Sequence, residues 1–74
     1  MIFGMKFDLK NYRKMNGMTQ NDLAEKLGMD QSMVSYYERN WKSVKTSTIV
    51  QIAKALGCKP EELFTPLENG ENGW

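Results

Sequence analysis

The sequence predicts an all-α fold, a compact bundle of five short helices. Three observations carry that prediction. Apolar residues recur at spacings of three and four through the middle of the chain. Residues suited to helix N-caps stand before these stretches and glycine or asparagine stands after them. Period-2 alternation is confined to Phe3, Met5 and Phe7. That start fits a short edge strand, a flap over the core or a floppy arm, and the floppy arm is the reading adopted, since untethered termini fray.

Each helix has its own punctuation. Asp8 caps the first, Leu9 to Asn16, in which Leu9, Tyr12 and Met15 are expected near one face, and Gly17 closes it. Thr19 caps the second, Gln20 to Leu27, with Leu23, Ala24 and Leu27 inward and Gly28 as its stop. Asp30 caps the third, Gln31 to Arg39, with Val34 and Tyr37 inward; Asn40 tolerates the left-handed end that follows. Trp41 to Lys45 reads as a loop. Thr46 or Ser47 opens the fourth helix, whose stripe is Ile49, Ile52, Ala53 and Leu56, and Gly57 ends it. Pro60 suits the first position of a fifth helix, Glu61 and Glu62 complement its positive end, and Leu63 and Phe64 form its apolar face. The domain reading is an N-terminal arm over 1–6, a folded domain over 7–67 and a disordered acidic tail over 68–74, where Glu-Asn-Gly repeats.

Composition removes several chemistries. The 74 residues contain no His, which excludes Ser-His and Cys-His catalytic pairs and His-containing metal sites. A single Cys permits no internal disulfide, in keeping with a cytoplasmic setting. The longest apolar run, Met1 to Phe3, is too short for a membrane span. Neither an enzyme nor a cofactor is expected, because no nucleotide loop, metal cluster or nucleophile–base pair is present. With so few residues a second, ligand-sensing or self-cleaving module is not expected either. A core this small is marginal, so a partner chain is a reasonable source of stability.

The most specific feature is QNDLAEKLGMDQSMVSYYER, Gln20 to Arg39. Two helices of about eight residues meet at Gly28-Met29-Asp30. A reversal there needs Gly, and a close crossing needs the small Ala24. This pattern is a helix-turn-helix, whose second member enters the DNA major groove. From Leu9 to Phe64 the chain further resembles the phage-repressor or Cro-like domains of the xenobiotic-response-element (XRE) family. Tyr12-Arg13, Gly17-Met18-Thr19-Gln20, Leu23 to Gly28, Val34-Ser35, Glu38, Ile52 to Gly57 and Glu62-Leu63-Phe64 carry the resemblance in register and without insertion.

That resemblance implies a lambda-repressor-like DNA-binding domain and a set of roles. Gln31, Ser32 and Tyr36 would meet base edges, with Met33 against a thymine methyl group. Thr19, Gln20, Ser35, Arg39, Trp41, Lys42, Ser43 and Lys45 would hold phosphates. Trp41 fits a lid on the core equally well. Arg13 and Glu38 stand where the family has an internal ion pair. Asp30 serves as a cap or as an acceptor for cytosine N4. The expected partner is double-stranded DNA, bound by a homodimer that pairs through Phe64 and Leu67; the alternative for those two is packing onto the first helix. Cys58 is read as a small buried apolar group. The functional expectation is a dimeric repressor on a pseudo-palindromic operator. An antitoxin-like or bridging module that holds a protein partner is the alternative.

Net charge tests this reading. Lys and Arg number 10 against 9 Asp and Glu, a formal +1 that by itself argues against nucleic acid. The charge is segregated, however. All ten basic residues lie at or before Lys59 with only five acidic ones, a formal +5, and Glu61, Glu62, Glu68 and Glu71 supply the rest. A basic body with an acidic end turned from the duplex is what DNA requires.

Overall fold

The α-helix boundaries fall where the capping residues put them, except that the first helix ends at Met15, one residue early, with Asn16 as its C-cap. A computed structural model describes residues 4–67, and the acidic tail and Met1 to Phe3 lie outside the described residues. Helix α1 spans Leu9–Met15, α2 Gln20–Leu27, α3 Gln31–Arg39 and α4 Thr46–Leu56. Asp8 accepts the Asn11 amide at 3.0 Å. Thr19 and Asp22 form a reciprocal capping box, the Asp22 amide donating to Thr19 Oγ1 at 3.0 Å and the Thr19 amide to Asp22 Oδ2 at 2.9 Å. Asp30 precedes α3 but makes no side-chain capping bond.

Four α-helices are present among the described residues, not five. Pro60–Leu63 forms a single 3₁₀ turn, and a second such turn covers Trp41–Ser43 in the expected loop. The fifth helix stops after four residues because the chain turns extended at Phe64, whose backbone is needed elsewhere. Phe64–Pro66 is strand β2, paired antiparallel with strand β1, Met5–Phe7. The N-terminal segment from Met5 is therefore a strand and not a floppy arm. Its register sets Met5 against Pro66, Lys6 against Thr65 and Phe7 against Phe64. Leu67 donates its amide to Gly4 at 2.7 Å, Asp8 donates to the Leu63 carbonyl at 2.7 Å, and Thr65 Oγ1 donates to Asp8 Oδ2 at 2.8 Å. Proline is tolerated in this two-stranded sheet because its missing N–H can face outward.

The core joins every element. Phe7, Leu9, Leu23, Ala24, Val34, Val44, Ile49, Ile52, Ala53, Leu56 and Leu63 are buried, with Tyr12, Leu27, Tyr37 and Trp41 packed half-buried around them. Met15 is 79% exposed and does not share the face of Leu9 and Tyr12. Six positions of α-helix rotate a side chain by about 240°, which carries Met15 away from Leu9. Among the described residues no buried side-chain nitrogen or oxygen lacks a partner. No helix there is long and apolar enough to cross a membrane.

Candidate nucleic-acid interface

Gly28 makes the reversal between α2 and α3. Its φ of 68° and ψ of 35° lie in the left-handed region, and its amide closes the last turn of α2. Ala24, 3% exposed, lets α3 cross α2 closely, while Leu23 and Val34 lock the pair to the core. With Val34 and Tyr37 turned inward, the opposite side of α3 faces solvent. Gln31, Ser32, Met33 and Tyr36 are all exposed, Met33 by 39% and Tyr36 by 42%. Adjacent Tyr36 and Tyr37 diverge: Tyr37 packs on the core, and Tyr36 meets it edge-on at 6.0 Å between ring centroids.

A polar chain links three helices behind this surface. Arg13 on α1 donates through Nε to Glu38 Oε2 at 2.7 Å and through a terminal nitrogen to Oε1 at 3.2 Å. Its other terminal nitrogen donates to the Met18 carbonyl at 3.1 Å. The two side chains are 13% and 5% exposed, and the Glu38 hydrogen bond raises the Arg13 pKa above its ordinary value. A fork of this kind holds orientation as well as charge. Gln20 Nε2 donates to Glu38 Oε1 at 3.0 Å, and Gln31 Nε2 donates to Gln20 Oε1. The expected ion pair, the candidate phosphate contact Gln20 and the candidate base reader Gln31 thus form one network. Sequence reasoning missed the links from Glu38 to Gln20 and on to Gln31, since contacts among residues 20, 31 and 38 have no local signature.

The other expected phosphate groups surround the end of α3. Ser35 Oγ accepts from Arg39 Nε at 3.3 Å. Arg39, Asn40, Trp41, Lys42 and Ser43 line an open recess of about 350 Å³. Trp41 packs against the core on one side, and Lys42 Nζ sits 5.7 Å from its ring centroid. Lys45 is exposed at the start of α4. Thr19 is engaged as the cap of α2, which leaves the amides of that first turn at the helix's positive end. Hydrogen bonds from the Thr19 amide, and secondarily its hydroxyl, lower the Asp22 pKa. Asn40 belongs to the recess and was not among the expected residues.

The remaining candidates lie off α3, and Phe64 lines a groove together with Lys45. Phe64 sits in β2 and tilts against Phe7 at 6.0 Å between ring centroids. Leu67 follows the strand and lies beside Gly4. Cys58 is half-buried and touches Tyr12; burial foremost, then the Glu62 charge, raises its thiol pKa against an opposing hydrogen bond from Tyr12. That environment disfavours the reactive thiolate.

Two helices set by a glycine turn, with an exposed recognition face and a cationic rim, define a helix-turn-helix DNA-binding regulator. The helix-turn-helix family model matches residues 9–63, and the chain belongs to that family in its XRE form, a family of transcriptional regulators rather than enzymes. It is 37% identical over 60 residues to an uncharacterized HTH-type transcriptional regulator of Methanocaldococcus jannaschii, covering 81% of this chain and 91% of that one. It is 34% identical over 73 residues to control protein C.BamHI of Bacillus amyloliquefaciens, covering 96% and 89% respectively. The crystal structure of a hypothetical transcription factor, NHTF, from Neisseria superposes with a TM-score of 0.63 at 33% identity, over 78% of this chain and 67% of that one.

Proposed function

We propose that this chain is a dimeric repressor that reads a pseudo-palindromic operator, α3 of each protomer lying in one major groove. The observation carrying this reading is the exposed row Gln31, Ser32 and Tyr36, backed by the inward Val34 and flanked by the basic end of the helix. Gln31 and Ser32 bond base edges, Tyr36 meets the adjoining edge and Met33 lies against a thymine methyl. The first-turn amides after Thr19, the side chain of Gln20 and the groups Ser35, Arg39, Trp41, Lys42, Ser43 and Lys45 hold the phosphates. The DNA-binding domain is residues 7–67, to whose sheet the arm contributes Met5 and Lys6. Repression follows from occupancy, since a bound dimer blocks whatever must use the same DNA.

Pairing is proposed through Phe64 and Leu67, and a groove of about 380 Å³ supports it at Phe64, walled by Val44, Lys45, Thr46, Ile49, Val50 and Pro60. A two-fold dimer would set the recognition helices about 34 Å apart, one turn of DNA.

In vitro selection from random duplex DNA tests the reading. The expected output is a symmetric site with half-sites one helical turn apart. Gln31→Ala is expected to cost about 1–3 kcal/mol at one base position, and Lys42→Ala or Lys45→Ala to weaken all DNA alike and lower the salt slope by about one each. Equal losses for Gln31→Ala on operator and random DNA would refute base reading. Truncation after Thr65 is expected to weaken self-association in sedimentation. A featureless selection together with a tight complex with another protein would move the function to the antitoxin-like alternative.

A further inference from the structure

Hydrogen-bond polarity passes from the half-buried ion pair to the recognition surface in one sense only. A carboxylate offers acceptors and no donors. Glu38, 5% exposed and forked to Arg13, accepts Gln20 Nε2 on Oε1. The Gln20 carboxamide must therefore turn its nitrogen to Glu38 and its oxygen to Gln31. That oxygen is met by a donor, and Gln31 Nε2 supplies it. Gln31 is left with its own oxygen and its second N–H for a partner outside the protein. The amide orientations follow from the carboxylate at the head of the chain and not from any choice made at the surface.

Resting on the reading of Gln31 as a base contact, we propose that Glu38 is the positioning residue that sets which base Gln31 selects. Adenine presents an N6 donor beside the N7 acceptor in the major groove, which the remaining oxygen and N–H of Gln31 match. Guanine presents two acceptors, O6 and N7, and would place O6 against the Gln31 oxygen. With the chain reversed, Gln31 would accept inward and turn both N–H groups outward, the pattern guanine requires. Polarity fixed at Glu38 thus discriminates adenine from guanine without Glu38 touching DNA.

Glu38→Gln tests the relay. Placing its carboxamide oxygen opposite Arg13 Nε keeps the 2.7 Å bond; the new NH₂ then takes the Oε1 position, gives up the 3.2 Å bond from the Arg13 terminal nitrogen and faces Gln20. Gln20 then flips, and Gln31 flips with it. Selections from a random duplex library would be run on wild type, Gln31→Ala, Glu38→Gln and Gln20→Ala, with circular dichroism to verify folding. The position whose preference Gln31→Ala erases is the one to read. There the wild type is expected to favour adenine over guanine by about ten-fold or more. Glu38→Gln is expected to abolish or invert that ratio while the other positions keep theirs. Gln20→Ala leaves the Arg13–Glu38 fork intact and is expected to erode the same ratio by releasing Gln31. A wild-type adenine ratio in both relay variants would overturn the proposal. If Glu38→Gln does not fold, an unchanged ratio in Gln20→Ala overturns it alone. A Gln31→Ala selection identical to wild type would instead overturn base reading itself, and the relay with it.

Discussion

Replacing Phe7 by alanine tests whether the terminal sheet is part of the folding core. Phe7 is 1% exposed and packs its ring against Phe64 across the β1–β2 pair. Removing a buried Phe side chain costs about 3–5 kcal/mol, the sum of lost transfer energy and an unfilled cavity. The aromatic pair adds about 0.5–1.5 kcal/mol to what a smaller side chain could recover, which favours the upper half of that range. Native domains hold about 0.05–0.15 kcal/mol per residue, so a domain of this length has roughly 4–11 kcal/mol to lose. Phe7→Ala should therefore lower Tm by at least about 12 °C, or leave the chain largely unfolded at 25 °C. Met5→Ala is the control. Met5 is in the same strand but 46% exposed, and its truncation should cost less than about 1 kcal/mol. Urea titration followed by circular dichroism reads both variants. Equal small losses for the two would show that β1 contributes nothing to the core and would refute the reasoning.

Two further outcomes follow from the helix ends. Gly28→Ala meets no atom within 4 Å, so its cost is the left-handed backbone alone, about 1–2 kcal/mol by thermal denaturation; an unchanged Tm would contradict that account. The lowered pKa of Asp22 means its contribution is present above about pH 4, the unfolded value, and is lost as pH falls through the folded one. Asp22→Asn should accordingly flatten the acid limb of the stability profile, and parallel limbs for variant and wild type would exclude the capping box as its source.

Much of the helix-turn-helix was legible because its determinants are local. Thr19 and Asp22 are three residues apart, Gly28 sets its own backbone, and the 3.6-residue period places Val34 inward and Ser32 and Tyr36 outward. The Arg13–Glu38 pair was found through resemblance and is present with bidentate geometry. Errors came where period and partner conflict. Met15 was assigned to the face of Leu9 although the helical angle separates them. Phe64 looked helical after Pro60-Glu61-Glu62-Leu63, and only its pairing with Phe7 draws it extended.

What the sequence determined by itself was the limits of the four α-helices to within a residue, the glycine turn and the separation of a basic body from an acidic end. These depend on caps, backbone permissiveness and composition, each of which acts within a few residues. The tertiary structure alone decided that the two ends of the described chain clasp as a sheet, Met5 to Phe7 against Phe64 to Pro66. A strand of three residues has no pattern long enough to announce itself, and its hydrogen bonds exist only once the intervening helices bring the ends together. The same holds for the line from Arg13 through Glu38 and Gln20 to Gln31. Each residue is ordinary where it stands in the chain, and the order of donors and acceptors among them appears only when α1, α2 and α3 converge on one buried carboxylate.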